Sequence, residues 1–532
     1  MTLYKDEWLP HLKNSIPPEA KLNQTSLYTI ALEGWRRGLS LSFYNHIEGD
    51  KRSIRYSLSN ENKTHYFTGS SGDYNTKEAF DICDDKTETA NYLSANNVPI
   101  PKGETFNIRE TPERDIVAYG NSIGYPLVVK PPDGSGGASV FANITNEPAL
   151  IDAINYIKEK QQFTEVIVQQ HVMGDEIRVY VLDGKVLAAA NRLPANVLGD
   201  GKQTVAQLIR EKNEVRKSVP HLHHRPIKMD LQVRRLIEQE NYTLESVLPK
   251  GKRIYLRKTS NVSTGGDPID VTKQLTKEQT EIAVNASKAI PGLVHSGVDI
   301  IINPVTNQTV VLEVNTRPGI GSHLFPIEGE AVDIPKALID FYFPETKNQT
   351  KALPEAYFDL QTPIDSLKSD ILNEIVIVSP PKNDLTAKKY KIHSALNPKE
   401  FYEQIKKYIL TNDIQGFIKE DNINLEIIVA HETREKLSDF RTHLEERINL
   451  LQIKNIEEIV YDKPIKMGFS VYDGLDTMSL FELETLYNQL NKSYKITEKE
   501  VTRLKRRIEL MFKSVSWKIT RPIRFITGRF NK

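Results

Sequence analysis

VVLEVNTRPG, residues 310–319, reads as an apolar β-strand interrupted by two polar side chains before a turn. Glu313 and Asn315 stand two positions apart, and residues i and i+2 of a strand project from one face. Upstream, SGVDIII (296–302) is a second apolar strand carrying Asp299. Side by side, the two strands would group three hard oxygen donors of the kind Mg²⁺ takes when it bridges phosphates. A lone D…ExN spacing also fits a solvated sheet face, so the surrounding sequence decides between the two.

Three stretches favour the metal. YPLVVKPPDGSGGASVF (125–141) runs an apolar strand into Lys130 and then a glycine-rich loop. Glycine lets backbone N–H groups approach phosphate oxygens, and the lysine adds a point charge. The loop is neither a Walker A nor a Rossmann fingerprint. EVIVQQHVMGDEIRVYVLDGKV (165–186) sets a polar segment, Gln169–Glu176, between two strands. It reads either as an ordinary hairpin through Gly174–Asp175 or as a hinge offering backbone groups to an adenine and a carboxylate to a ribose. IYLRKTSNVSTGGDPID (254–270) follows a strand with Arg257 and puts Asn261 before a Ser-Thr-Gly-Gly turn. An arginine and turn amides again suit an anion. Two anion sites, a metal set and a nucleobase hinge in one α/β stretch predict an ATP site.

The same strings carry a likeness. Through DDKTETANYLSANNVPIP, VVKPPDGSGG, NRLPANVLGDGKQTVAQLI, YLRKTSNVSTGGDPID and LEVNTRPGI, residues 86–330 resemble the ATP-grasp superfamily of carboxylate–amine ligases. Within it they are most similar to the ligase domains of cyanophycin synthetase and the bifunctional glutathione synthetases. The resemblance implies an α/β (α+β) ATP-grasp fold and an ADP-forming ligase that makes an amide or peptide bond through an acyl-phosphate. It implies ATP with two Mg²⁺ ions (Mn²⁺ as a substitute), and small-molecule or polymer carboxylate and amine substrates. Carried over by position, Lys86 and Lys130 hold the nucleotide phosphates, and Gly134, Ser135, Gly136 and Gly137 form the loop closing over them. Gln169, His171 and Val172 become the adenine hinge and Glu176 the ribose carboxylate. Asp299, Glu313 and Asn315 become the metal ligands. Arg257, Asn261 and the Gly319 amide lie near the transferred phosphate and acyl group, with Arg192, Arg317 and Ser322 on the substrate side. The competing classes are an ATP-binding scaffold without turnover in a membrane-associated assembly, and a dikinase-like enzyme, which needs a phosphorylatable histidine domain that the sequence lacks.

Around this core, residues 1–85 read as an α/β lobe, with a helix from Thr25 or Ser26 to Gly38 and strands at Leu39–Tyr44, Ile54–Ser59 and His65–Thr68. The catalytic domain spans 86–345, and the Pro-rich polar stretch 346–371 reads as a linker. Residues 372–466 form a small module with a likeness to acylphosphatase; that family's arginine and asparagine would fall near Tyr402 and Glu420, so the module is expected to be noncatalytic. HLHHRPIK (221–228) has no second cluster at zinc-ligand spacing and reads as part of an insertion near the acceptor site.

Residues 467–532 are expected as a heptad helix from Ser479, either a coiled coil that pairs chains or a helix packed on its own chain. A basic amphipathic tail follows. From Arg503 to Lys532 ten Lys/Arg meet one acid, Glu509, a net of 10 − 1 = +9. It reads as a membrane-surface or partner element, or as an arm that packs locally. SVSWKITRPIRF (514–525) resembles short C-termini of bacterial capsule and surface-polysaccharide assembly proteins.

The 532 residues carry 70 Lys+Arg against 70 Asp+Glu. That balance argues against a polyanion binder and predicts no nucleic-acid partner. One cysteine, Cys83, cannot form an internal disulfide and fits a reducing compartment. The N-terminus lacks a signal-peptide core and no run is long enough to span a bilayer. The expectation is a cytoplasmic chain whose tail can bring it to the inner face of the membrane.

Overall fold

The computed structural model describes residues 8–49, 51–132, 140–161, 163–347, 356–369, 372–393, 399–421, 424–450 and 456–472. The heptad helix and basic tail, from 473 on, lie outside the described residues.

The N-terminal helix, Thr25–Arg36, presents Leu27, Tyr28, Ile30, Ala31 and Trp35 to the core and ends at Gly38, whose φ of +82° suits glycine. It lies against an antiparallel sheet of Ser40–Glu48, Lys51–Ser59, Thr64–Thr68 and Ser71–Gly72. This lobe is not self-contained. Its core also takes in Ile334–Tyr342, a helix from the end of the catalytic stretch.

The expected linker behaves otherwise than its polar composition suggests. In its described part, 356–369, Phe358 packs against Tyr28, Trp35 and Phe43, while Leu360 and Leu367 are also buried. Arg36 Nε donates to Ala356 O at 2.9 Å and Tyr28 Oη to Phe358 O at 3.1 Å. The strand Glu374–Val376, expected to open the next module, instead adds to the N-terminal sheet beside Ser40–Glu48. Three apolar anchors in a polar stretch suffice to dock it.

The central region has two lobes. Gly103–Asn107, Leu127–Lys130, Phe141–Ile144 and Glu165–Gln170 form a four-stranded sheet backed by helices Glu113–Ile123 and Glu147–Tyr156. Asp175–Leu182, Lys185–Leu193, Asp267–Asp270, His295–Ile302 and Thr309–Asn315 form a five-stranded antiparallel sheet. Glu165–Gln170 and Asp175–Leu182 thus belong to different sheets, so the segment between them is a crossing between lobes and not a hairpin. Residues 194–266 are an insertion with its own core, including Val197, Ile209, Ile237 and Leu256.

Beyond 385, the helices Lys399–Thr411 and Arg434–Leu450 cover one face of a further five-stranded sheet. Its first four strands run βαββαβ in spatial order 4-1-3-2, a split βαβ arrangement. Phe469–Tyr472 joins it in parallel beside Gln415–Asp421, so the module runs past the expected boundary at 466. Among the described residues no helix is long and apolar enough to cross a membrane.

Candidate active site

The central five-stranded sheet has two unlike faces. Val179, Val298, Ile300, Val311 and Val314 turn toward the helix Lys277–Ala289, where Ala283, Ala286 and Ala289 let helix and sheet approach closely. The other face carries the charges. Asp299 pairs across the ladder with Glu313 on one side and Arg178 on the other, and Asn315 stands opposite Gly297.

This alignment depends on a bulge. Ile300 faces Val311 but Asp299 faces Glu313, which leaves Leu312 as an extra residue. Without it Glu313 would face Val298 and point into the helix-packed core. The bulge thus brings the two carboxylates to one face.

Arg178 holds the centre of that face. Its Nε donates to Asp299 Oδ1 at 2.7 Å and its Nη2 to Oδ2 at 2.6 Å. Arg192 Nη1 donates to Glu176 Oε1 at 2.7 Å, and its Nη2 lies 3.5 Å from Asp299 Oδ1. Burial alone would raise the Asp299 pKa, but Arg178 and Arg192 outweigh it and hold the carboxyl below its ordinary value. Burial raises that of Glu176, with Arg192 opposing. The Asn315 amide is best satisfied with its nitrogen toward Glu313 Oε1 (3.1 Å) and its oxygen toward Arg178 Nη2 (3.2 Å).

Opposite lies a cavity of about 320 Å³, lined by Lys86, Lys130, Gln169, Leu312 and Glu313 among others, a size suited to a small ligand. Lys86 begins a helix, Lys86–Ala95, capped by Asp85, and its Nζ donates to Pro132 O at 3.0 Å. Burial brings the Lys130 ammonium down to about 8; Glu313 opposes this and Lys86 adds to it. Lys130 has no carboxylate within ion-pair distance among the described residues. The structure therefore groups two cations, a carboxylate and an amide around one space. Gly134, Ser135, Gly136 and Gly137 lie outside the described residues.

The remaining expected residues are less closely gathered. At the crossing between lobes, the His171 N–H is taken by Pro126 O at 2.9 Å, and its ring Nδ1 is buried without a partner. Arg257 is buried and forks onto Asp230 at 2.9 and 2.6 Å, not onto the Asp299 group. The Ser-Thr-Gly-Gly amides do not form an anion cradle: Ser263 N–H bonds Asn261 Oδ1, those of Thr264 and Gly266 bond Asn261 O, and that of Gly265 bonds Val262 O. A tight turn satisfies its own donors, which spacing alone did not reveal. Arg317 turns away to Asp84 (3.7 Å) and the Phe80 ring. Gly319 is exposed, and Ser322 sits on the short helix Gly321–Leu324.

One residue of the site had no sequence signal strong enough to find it. Arg178 shares its face with Glu176 by period two, but its partner Asp299 is 121 positions away. His221, from the string 221–228, is packed against Gly321 and Phe325, and among the described residues no group of three or more His, Cys, Asp or Glu could hold a metal. The donors Asp299, Glu313 and Asn315 do fit a hard cation such as Mg²⁺. They are oxygen ligands on adjacent strands, and each Asp299 oxygen keeps a second lone pair beyond the one used by Arg178.

Two lobes closing on lysines, and a bulged strand pair with two carboxylates, define an ATP-grasp fold, and residues 83–321 match the ATP-grasp domain family. Over 271 residues the chain is 36% identical to a cyanophycin synthetase from Nostoc sp., a stretch covering 50% of this chain and 29% of that protein. Over 281 residues it is 33% identical to a bifunctional glutathione biosynthesis protein from Streptococcus thermophilus, covering 49% and 35% of the two chains. A crystal structure of a bifunctional glutathione synthetase from Pasteurella multocida aligns at 25% identity and a TM-score of 0.45, covering 57% of this chain and 42% of that one. The chain therefore spans about a third of the length of these curated relatives.

Proposed function

We propose that the chain is an ATP- and Mg²⁺-dependent carboxylate–amine ligase forming an amide bond through an acyl-phosphate. The observation that carries this reading is the single cavity lined by Lys86, Lys130, Gln169 and Glu313, with Asp299 across the ladder from Glu313.

In this reading a substrate carboxylate oxygen attacks the γ-phosphorus of ATP, the bond to the bridging oxygen breaks, and ADP leaves. An amine then attacks the acyl carbon, loses its proton, and inorganic phosphate departs. Lys86 and Lys130 neutralise charge on the phosphates. Arg178 and Arg192 keep Asp299 ionised. The exposed Gly319 N–H serves as a donor to the tetrahedral oxyanion, and Arg257 joins it on release from Asp230. Asp299, Glu313 and Asn315 would hold Mg²⁺, which would supply further positive charge to the phosphates.

The reading extends to a peptide-type acceptor or to a uronic acid of a surface polysaccharide, the latter suggested by SVSWKITRPIRF (514–525). A tail contact with anionic membrane and pairing of chains through the heptad helix belong to the same proposal. The test is ADP and phosphate release from Mg-ATP across a panel of amino acids, short peptides and uronic acids, with products weighed by mass spectrometry. A product equal to two substrates minus water supports the ligase. Nucleotide binding with no turnover for any pair favours the scaffold instead.

A further inference from the structure

Beneath the Asn261–Gly266 turn lies a buried polar cluster that the site described so far does not use. Arg216, on the helix Val205–Ser218, is fully buried. Its Nη2 donates to Val262 O at 3.2 Å, and its Nη1 to Gly266 O at 3.1 Å and Asp267 Oδ1 at 3.0 Å. Its Nε donates to Arg225 O at 2.9 Å. One guanidinium thus ties both ends of the turn to the helix and to the 225 segment. Asp267 also receives Lys212 Nζ and, at 3.0 Å, Asn196 Nδ2; Lys212 donates in addition to Asn196 O at 2.8 Å.

The turn has little freedom of its own. Gly265 has a φ of +107°, and a Cβ there would meet Ile227 at 2.8 Å. A Cβ on Gly266 would meet the carbonyl oxygens of Asn261 and Leu193 at 2.9 Å. Asn261 Oδ1 accepts from Ser263 N (2.9 Å) and Ser263 Oγ (2.7 Å). That fixes the amide plane and leaves Asn261 Nδ2 as a donor with no partner among the described residues.

We propose that Arg216 is a positioning residue: braced by Asp267, it holds the turn so that the Asn261 side-chain N–H₂ is presented, pre-aligned, to an anionic phosphoryl oxygen. This rests on the reading of Asn261 as a neighbour of the transferred phosphate. A lysine cannot reproduce the effect, because the planar guanidinium reaches four acceptors at once, whereas an ammonium is a point charge with three donors. Pre-alignment matters because a donor fixed before binding needs no ordering when the charge arrives.

The experiment uses the full chain and has two readouts. Amide hydrogen exchange compares wild type, Arg216→Lys and Lys212→Gln. Arg216→Lys speeds exchange of residues 262–266 about tenfold or more and leaves 165–182 unchanged, whereas Lys212→Gln, which touches no turn carbonyl, leaves the turn protected. Affinities for Mg-ATP and Mg-ADP are then measured for Asn261→Ala, Arg216→Lys and the double variant. Each single change weakens Mg-ATP about tenfold with Mg-ADP unchanged, and the double variant is no weaker than Asn261→Ala alone. Unchanged turn exchange in Arg216→Lys, or additive losses in the double variant, overturns the positioning role. A loosened turn with an unchanged ATP:ADP ratio in Asn261→Ala overturns instead the reading of Asn261 on which it rests. Should Arg216→Lys fail to fold, Asp267→Asn, which keeps the shape and removes the bracing charge, takes its place with the same expected outcomes.

Discussion

The sheet that carries Asp299 and the sheet of residues 386–472 are built alike, with five strands, helices against one face and charged residues on the other, where the second sheet also buries Ile428 and Ala430. Their charges are arranged differently. On the second sheet Lys389 pairs with Glu426 and Lys391 with Glu457 across neighbouring strands, and Glu458 takes both Lys388 and Arg441, all at partly exposed positions where solvent screens them. On the first they converge: two arginines share Asp299, Glu313 has no cation in ion-pair contact among the described residues, and Lys130 faces it across a cavity. Cross-strand pairs that balance leave nothing for a ligand to complete. Convergent, buried and unbalanced charges do.

The sharpest way to break this contrast is Glu313→Gln, which removes charge from the metal set with almost no change of shape. ADP formation is expected to fall about a thousandfold or more, with an unchanged unfolding midpoint. Near-normal turnover would remove Glu313 from the site.

Acid should separate the two regions next. His295 is buried between the N-terminal lobe and the central sheet, within 3.4 Å of Tyr180 and Tyr342 hydroxyls, and burial pushes its pKa down to about 4; burial brings His323 to about 3. A depressed histidine contributes stability that is complete above the unfolded value near 6.5 and is lost as pH falls toward the folded value. His295 alone should cost the central region on the order of 3 kcal/mol between pH 7 and pH 4. In the 386–472 module His443 is also lowered by burial, but it is only partly buried, so that region should lose less of its exchange protection over that range. Equal losses in both regions would erase the distinction.

A smaller effect follows from Lys130. Its ammonium, brought down to about 8 in the free protein, must be charged to meet a phosphate, so Mg-ADP affinity should fall about tenfold from pH 7 to pH 9. Lys130→Met should flatten that profile. The smallest effect is on the balanced sheet: Lys389→Ala with Glu426→Ala should change stability by under about 1 kcal/mol and leave turnover untouched. A large loss of turnover would give that sheet a role it is not assigned.

Much of this site was legible because its chemistry lies in short strings. Glu313 and Asn315 declare a shared face by their spacing, and Lys130 ends an apolar strand. The bulge at Leu312 was not legible, since an extra residue in a strand leaves no mark in the alternation of a short apolar run. Nor were the Arg178–Asp299 and Arg257–Asp230 pairs, which join segments far apart in sequence. The linker misled for a related reason: Pro-rich composition describes local conformation, while docking is decided by Phe358, Leu360 and Leu367 meeting a core formed by residues 27–58. The Ser-Thr-Gly-Gly turn shows the limit of motif reading, because the same residues can offer amides to an anion or close on themselves.

The most direct test of the ligase account is isotope transfer. With a substrate pair that turns over, the donor carboxylate is labelled with ¹⁸O, and the inorganic phosphate released from Mg-ATP is analysed by mass. The account predicts one ¹⁸O atom in each phosphate formed with amide product, because the carboxylate oxygen becomes the bridge of the acyl-phosphate and leaves with phosphorus. Phosphate free of label, released while amide accumulates, would contradict it.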